Sequence, residues 1–273
     1  MERLINVFGG YGFVGSRYCE LTPNVVKNAK YDYKAKDNSE VVYFISTVDN
    51  YNVHTNPYID IETNLICLVK ALESCKDKNI TFNFISSWFV YGDVELPAKE
   101  SSPCDPKGFY SITKRAAEQM LISYCETFKI KYRIIRLANV LGKNDGKVSK
   151  KKNALQYMIN QVANNEDVNL YDGGTMYRDY IHVDDVVQAI NLIIDQGNIN
   201  EIYNVGNGVQ VRIRNALEYV KSKTNSKSNL GTIETVDFHK IVQTKNMVLD
   251  ISKIKNLGYT PQYNINQILD TLI

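Results

Sequence analysis

Tyr110 and Lys114 stand four residues apart in Phe109-Tyr110-Ser111-Ile112-Thr113-Lys114. They open a segment whose apolar stripe, Ala117, Met120 or Leu121, Tyr124 and Phe128, has helical spacing. On a helix the pair shares one face, one turn apart. An ammonium beside a phenol favours the phenolate, so the pair predicts a tyrosine of lowered pKa that can give and take a proton. A surface tyrosine beside a surface lysine has the same spacing, and with 19 tyrosines in the chain the motif alone does not decide. Upstream, Phe84-Ile85-Ser86-Ser87-Trp88-Phe89-Val90-Tyr91-Gly92 reads as a strand that ends in hydroxyls. Sheets of the α/β class bind ligands at such strand ends, where a serine can hold the substrate oxygen that Tyr110 protonates.

A second set of residues suits a phosphate. Gly9-Gly10-Tyr11-Gly12-Phe13-Val14-Gly15 follows the first strand-like run and leads into Ser16-Arg17-Tyr18-Cys19-Glu20-Leu21, which can open a helix. Backbone free of side chains lets a pyrophosphate approach, and the helix N-terminus supplies N–H groups and a positive dipole end. At the head of an alternating α/β chain this spacing predicts a dinucleotide site rather than an ordinary tight turn. The adenosine end is open. If the next strand, within Asn24 to Asp32, ends near Asn28, then Lys30 faces a 2′-phosphate and favours NADP; if it runs to Asp32, the carboxylate favours NAD.

Positioning these residues requires parallel strands joined by helices, and the chain supplies the pattern. Strands are expected at Leu4–Phe8, Val41–Thr47, Thr81–Ser86, Tyr132–Arg136 and Tyr203–Val205. Helices are expected near Asp60–Cys75, Tyr110–Phe128, Ala154–Asn164 and Val183–Ile194. The result is an α/β fold with a doubly wound parallel sheet. Gly142 to Lys152, with Lys143, Lys147, Lys150, Lys151 and Lys152 around Gly146, predicts a solvated loop where the chain leaves the sheet.

Across 273 residues, 44% apolar content is enough for a sizeable core, and 32 basic against 30 acidic residues imply no broad attraction to nucleic acid or to a membrane. Apolar runs such as Val186 to Ile194 are too short to span a bilayer, and Met1 to Phe8 lacks the make-up of a secretory signal. Five cysteines without a Cys-x-x-Cys pair predict reduced thiols in a cytoplasmic setting. Three histidines, at 54, 182 and 239, offer no metal-ligand spacing, so no metal is expected.

The glycine loop, Ser86-Ser87 before Val90-Tyr91-Gly92, Tyr110 with Lys114, Arg136-x-x-Asn139 and Arg178-Asp179-Tyr180-Ile181-His182-Val183-Asp184-Asp185 occur in this order over nearly the whole chain. In this the chain resembles the extended short-chain dehydrogenase/reductases, specifically the nucleotide-sugar epimerases and dehydratases. The resemblance implies a Rossmann-type sheet and a small C-terminal substrate-binding subdomain, interleaved as 1–142 with 180–204 for NAD or NADP and 143–179 with 205–273 for the nucleotide sugar. It implies a catalytic set of Ser87, Tyr110 and Lys114. For the cofactor it implies Gly9, Gly12, Phe13, Val14, Gly15, Asn28, Lys30, Ser46, Thr47, Asn64, Ser86, Tyr110, Lys114 and Ala138. Ser46 and Thr47 stand where the family more often has small apolar residues, and Asn64 can equally be a plain helix-side polar residue. For the nucleotide-diphosphate sugar it implies Ser87, Trp88, Tyr110, Asn139, Arg178 and Lys240. Arg178 beside Asp179 also suits a structural ion pair, and Lys240 also suits a solvated position. The family's pairing of the helices at Asp60–Cys75 and Tyr110–Phe128 implies a homodimer.

Two departures shape the expected chemistry. Only 26 positions separate Gly15 from Val41, so the sheet should be shortened between the family's first and fourth strands by one strand and one helix. Trp88-Phe89 stands where the 4,6-dehydratases carry Asp-Glu, which disfavours dehydration. The two aromatics can stack on a sugar or fill the core. Epimerisation at C4 and reduction of a keto-sugar remain, in which Tyr110 moves the proton and the nicotinamide the hydride. The alternative is a catalytically silent NAD(P)-binding sensor or scaffold.

Overall fold

The computed structural model describes residues 3–146, 149 and 152–273. Its strands are β1 (Ile5–Phe8), β2 (Val25–Lys27), β3 (Ser39–Tyr43), β4 (Ile80–Ser87), β5 (Lys131–Leu137), β6 (Asn139–Leu141), β7 (Val168–Tyr171), β8 (Tyr177–Arg178), β9 (Tyr180–His182), β10 (Glu201–Val205), β11 (Val211–Arg212) and β12 (Leu230–Ile233). Six form one parallel sheet in the order β10-β5-β4-β3-β1-β2. The remaining strands pair as β6 with β9, β7 with β12 and β8 with β11.

Strands buried on both faces must be apolar on both, which is why they read as near-continuous β-branched and aromatic runs. Side-chain alternation divides them between two cores. Val41, Tyr43, Phe82, Phe84 and Ile134 pack with Leu68, Leu72, Ala117 and Leu121 on one face. Val42, Ile85 and Ile135 pack with Val186, Ile190 and Ile193 on the other. The helices concerned include Phe109–Phe128 on the first face and Val183–Gln196 on the second. A third cluster joins Leu155, Ile159 and Val162 to Leu170, Leu217, Val220 and Ile268. Residues Met247, Leu249, Ile251, Ile254 and Tyr259 belong with the second face of the sheet rather than with this third cluster.

The chain passes from β1 to β2 on one side and then to β3 on the other, so the strand order reverses at β1. Residues 28–38 make that crossing without a helix, and β2 is the edge of the sheet. The missing strand and helix that the short spacing predicts are therefore absent among the described residues. In the lysine-rich break, Lys147, Lys150 and Lys151 lie outside the described residues, while Lys152 pairs with Asp145 at 2.7 Å. Among the described residues no helix is long and apolar enough to cross a membrane.

Candidate active site

The reversal at β1 opens a crevice beyond the ends of β1 and β3, where α/β sheets take their ligands. Gly9 has φ +82°, and a Cβ there would stand 2.9 Å from the Ile45 nitrogen. Gly15 lies inside the helix Phe13–Leu21, and its Cβ would fall 2.4 Å from the Gly9 carbonyl oxygen. Backbone thus packs on backbone, which only glycine permits at these two positions. Gly12 caps the helix without a side-chain hydrogen bond. The first-turn N–H groups of Phe13, Val14 and Gly15 have no intrahelical acceptor and sit at the positive end of the dipole. The loop therefore fits a dinucleotide's pyrophosphate.

At the adenosine end β2 stops at Lys27, well short of Asp32, which accepts the backbone N–H of Lys34. Asn28 is buried, with its N–H on the Val7 carbonyl and its Nδ2 on the Lys34 carbonyl. Lys30 is exposed over the ring of Tyr31. Lys27 lies against the glycine loop: its Nζ is 3.8 Å from the Tyr11 ring centroid, and its stem is where a Cβ on Gly10 would point. The sequence did not single it out, because an apolar run of three residues does not fix where the strand ends.

β4 delivers Ser86 and Ser87, and the helix Phe109–Phe128 delivers Tyr110 and Lys114. Ser111 closes the start of that helix, taking the Gly108 N–H and donating to the Gly108 carbonyl. Asn50 accepts the Tyr110 N–H at 3.1 Å and lies so close to Gly108 that any Cβ there would overlap it. The Tyr110 phenol is buried and flanked by the hydroxyls of Ser87 and Ser46. Burial pushes its pKa up, with Ser87 and Ser46 opposing the shift and the charges of Asp60 and Asp49 adding to it. Lys114 is 2% exposed; its Nζ donates to the Ile85 carbonyl at 2.8 Å and lies 4.2 Å from the Phe84 ring centroid. Burial brings the ammonium down to about 7 against the pull of Glu118. The lowered tyrosine pKa expected from the Tyr110/Lys114 spacing is thus reversed. The pair shares a face, but desolvation dominates and the lysine is directed at strand backbone.

The Ser86 hydroxyl is engaged within the protein. It donates to Glu118 Oε1 at 2.6 Å, and Glu118 also holds Arg136 through two hydrogen bonds of 3.0 and 2.7 Å. The expected helix at Asp60–Cys75 is three joined pieces, Tyr58–Ile61, a π turn at Glu62–Ile66, and Cys67–Glu73. The π turn carries Asn64, 2% exposed, whose amide bonds Ser46, the Thr47 backbone and hydroxyl, and Thr113. Turns of this kind recur where a helix serves a site. Ala138, buried, donates its N–H to the Val205 carbonyl at 2.8 Å beside Gly206.

Tyr110 opens on a cavity of about 680 Å³ that Asp49, Trp88, Phe89, Asn139, Arg178 and His239 also line. Trp88 is 2% exposed and stacks on Phe89 at 3.9 Å, so one aromatic pair both fills core and walls the cavity. Asn139 donates through Nδ2 to the Asp179 carbonyl at 3.0 Å. Arg178 donates to the carbonyls of Tyr177, Lys245 and Thr244, and its guanidinium lies over Trp88. Asp179 turns the other way, accepting the N–H groups of Asn207 and Gly208, so among the described residues no ion pair joins it to Arg178. Lys240 is an outward-facing residue of the helix Asp237–Val242, paired with Glu234 and Asp237. The residue of that helix that reaches the cavity wall is His239, bonded to the Tyr51 hydroxyl and edge-on to Tyr171.

A family model described as the NAD dependent epimerase/dehydratase family matches residues 27–206. The low-salt glycan biosynthesis protein Agl12 of Haloferax volcanii is 26% identical over 216 residues, which is 78% of this chain and 67% of that protein. The dTDP-glucose 4,6-dehydratase of Mycobacterium tuberculosis is 29% identical over 171 residues, 61% of this chain and 50% of its own length. The solved structure of RMD from Pseudomonas aeruginosa complexed with NADPH has the same fold, with a TM-score of 0.87 at 21% identity over 99% of this chain and 97% of that one.

Proposed function

We propose, on the premise that the chain belongs to the NAD dependent epimerase/dehydratase family, that it performs hydride chemistry at C4 of a nucleotide-diphosphate hexose, as an epimerase or a 4-keto reductase. One observation carries this reading. The Tyr110 phenol, with Ser87 beside it, faces the cavity that Asn139 and Arg178 line. A bound nicotinamide supplies or stores the hydride. Tyr110 moves the proton at the sugar oxygen, Ser87 holds that oxygen, and Lys114 is the residue for the cofactor's ribose hydroxyls. Asn139 contacts the substrate, and Arg178 is the cation for the diphosphate, held over Trp88 by the carbonyls of Tyr177, Thr244 and Lys245. Segments 1–142 and 180–204 serve the cofactor, and 143–179 and 205–273 serve the sugar nucleotide.

The stacked Trp88 and Phe89 disfavour dehydration, because they bring no carboxyl to protonate a leaving hydroxyl. Lys27 favours NADP over NAD, since β2 ends in an ammonium rather than a carboxylate. Lys27→Glu should weaken NADPH binding by about 10- to 100-fold and leave NADH binding nearly unchanged, because a charge-assisted contact to the 2′-phosphate is lost. Fluorescence titration with both cofactors checks this; equal losses would remove Lys27 from the site. Exposed apolar residues on the two helical segments, Ile59 and Ile66 on one and Ile112 and Met120 on the other, support a homodimer. Light scattering should give twice the chain mass, and a sharp monomer mass would refute the pairing.

The decisive assay incubates the protein with reduced and oxidised nicotinamide cofactors and a panel of nucleotide sugars that includes 4-keto sugars. Nicotinamide absorbance and product NMR are followed together. Stoichiometric cofactor oxidation identifies a reductase, and inversion without net oxidation an epimerase. No change with any sugar favours a silent cofactor-binding protein instead, a reading that the shortened adenosine edge supports.

A further inference from the structure

The side chain of Asn50 has one end fixed and the other unpaired. The Tyr110 backbone N–H can only donate, and it lies 3.1 Å from one atom of the Asn50 amide, which must therefore be the oxygen. The amide is pressed against Gly108, where an added Cβ would fall 2.1 Å from that oxygen and 2.7 Å from Nδ2. Asn50 is 3% exposed, yet it lines the cavity beside Tyr110, and among the described residues its Nδ2 has no hydrogen-bond acceptor. A helix start needs only an acceptor at this place, which Ser, Thr or Asp supplies as well. The amide adds N–H groups that the fold does not use, and a buried donor left unpaired is costly. Asp49, the preceding residue, lines the same cavity and has the complementary shortage. Its Oδ1 accepts the Tyr51 N–H at 2.8 Å, and its Oδ2 has no hydrogen-bond donor among the described residues.

We propose that Asn50 is a specificity-determining residue: its Nδ2 donates to a hexose hydroxyl flanking the reacting C4, and that hydroxyl gives its own hydrogen to Asp49. The proposal rests on the hydride-transfer reading above. A hydroxyl is the group that suits the pair, because it accepts and donates at once. An acyl carbonyl offers no hydrogen to Asp49, a carboxylate meets a like charge there, and a deoxy carbon satisfies neither residue. C3 and C6, on the two sides of C4, are the positions that bear such a hydroxyl. The amide that reads it also holds the Tyr110 N–H, so recognition takes place at the start of the helix that presents the proton donor. A sugar without the hydroxyl leaves a buried donor and its neighbouring acceptor unpaired, and sites built around a hydroxyl reject such analogues strongly.

Calorimetric titration of the cofactor-loaded protein with glucose, 3-deoxyglucose and 6-deoxyglucose, each as its UDP and its dTDP ester, tests this. The parent sugar should bind about 30-fold or more tightly than one of the two deoxy analogues, and the analogue that loses affinity tells which hydroxyl is read. Asn50→Asp keeps an acceptor for the Tyr110 N–H and removes the donor, so it should cut that preference by about tenfold, whatever its added charge does to all the sugars alike. Asn50→Ala removes both ends of the amide and should cut the preference equally. A role confined to holding the helix would weaken every sugar by the same factor and leave the preference intact. A native protein that does not discriminate, a preference that survives in both variants, or no binding of any of the sugars would overturn the proposal. Binding needs no turnover, so a preference that falls in Asn50→Asp, in a protein that converts no sugar, would uphold the role of Asn50 and dismiss the hydride-transfer reading alone.

Discussion

Tyr110→Phe is expected to lower turnover on the preferred nucleotide sugar by about a hundredfold to ten-thousandfold, the range that a positioned proton donor contributes. Little else should change. The phenylalanine ring keeps the edge-on contact with Phe89, with centroids 6.1 Å apart, and the backbone N–H stays on Asn50. KM and cofactor affinity should therefore hold within a few-fold, so the loss falls on kcat. Steady-state kinetics with a parallel cofactor titration separate the two. An effect on kcat below about threefold would mean that another group moves the proton.

Glu118→Ala is expected to cost about 3–5 kcal/mol of stability, because it strands the Arg136 guanidinium, 1% exposed, without its counter-charge. The same change releases the Ser86 hydroxyl and the Arg115 contact at 2.8 Å. With Lys114 on the Ile85 carbonyl, this carboxylate fastens the end of β4 to the helix that carries Tyr110, so Ser87 and Tyr110 should lose register together with the stability. Urea denaturation gives the magnitude; a cost under about 1 kcal/mol would show that water replaces the carboxylate. The pH dependence has a definite sign. Burial pushes the Glu118 carboxyl up, and the hydrogen bonds and charge of Arg136, with Ser86 and Arg115, more than reverse it, so its folded-state pKa lies below the ordinary value. Its contribution is complete above the unfolded-state value and is lost as pH falls through the folded one. Acidification below the ordinary carboxylate range should therefore erode the stability of the native chain more steeply than that of Glu118→Gln.

The sheet was legible because its strands are buried on both faces and spell themselves out as apolar runs. The errors lie where polar residues continue or end a strand. β3 begins at Ser39 rather than Val41 because Glu40 is held inside by Asn83 and Arg133. It stops at Tyr43 because Ser46 and Thr47 turn toward Asn64 instead of extending the ladder. The π turn left no trace in the pattern, since one added residue within a helix changes no residue type. In the same way His239 and Lys240 differ only by the phase of a six-residue helix, too short for periodicity to choose which faces inward. The Tyr110/Lys114 spacing gave the shared face correctly and the electrostatics incorrectly. Spacing carries geometry, whereas the sign of a pKa shift depends on how much water the fold removes. The two-residue pairing of β8 with β11 offered no run long enough to recognise.

Losing one strand also moves the border of the sheet inward, to β2. A parallel border strand is an open row of N–H and C=O groups on which another chain can grow. Here that row is three residues long and ends in the exposed ammonium of Lys27, after which the backbone leaves the plane to cross to β3. The shortening thus brings its own protection against edge-to-edge aggregation: the new border is too brief, and too charged at its end, to template a foreign strand.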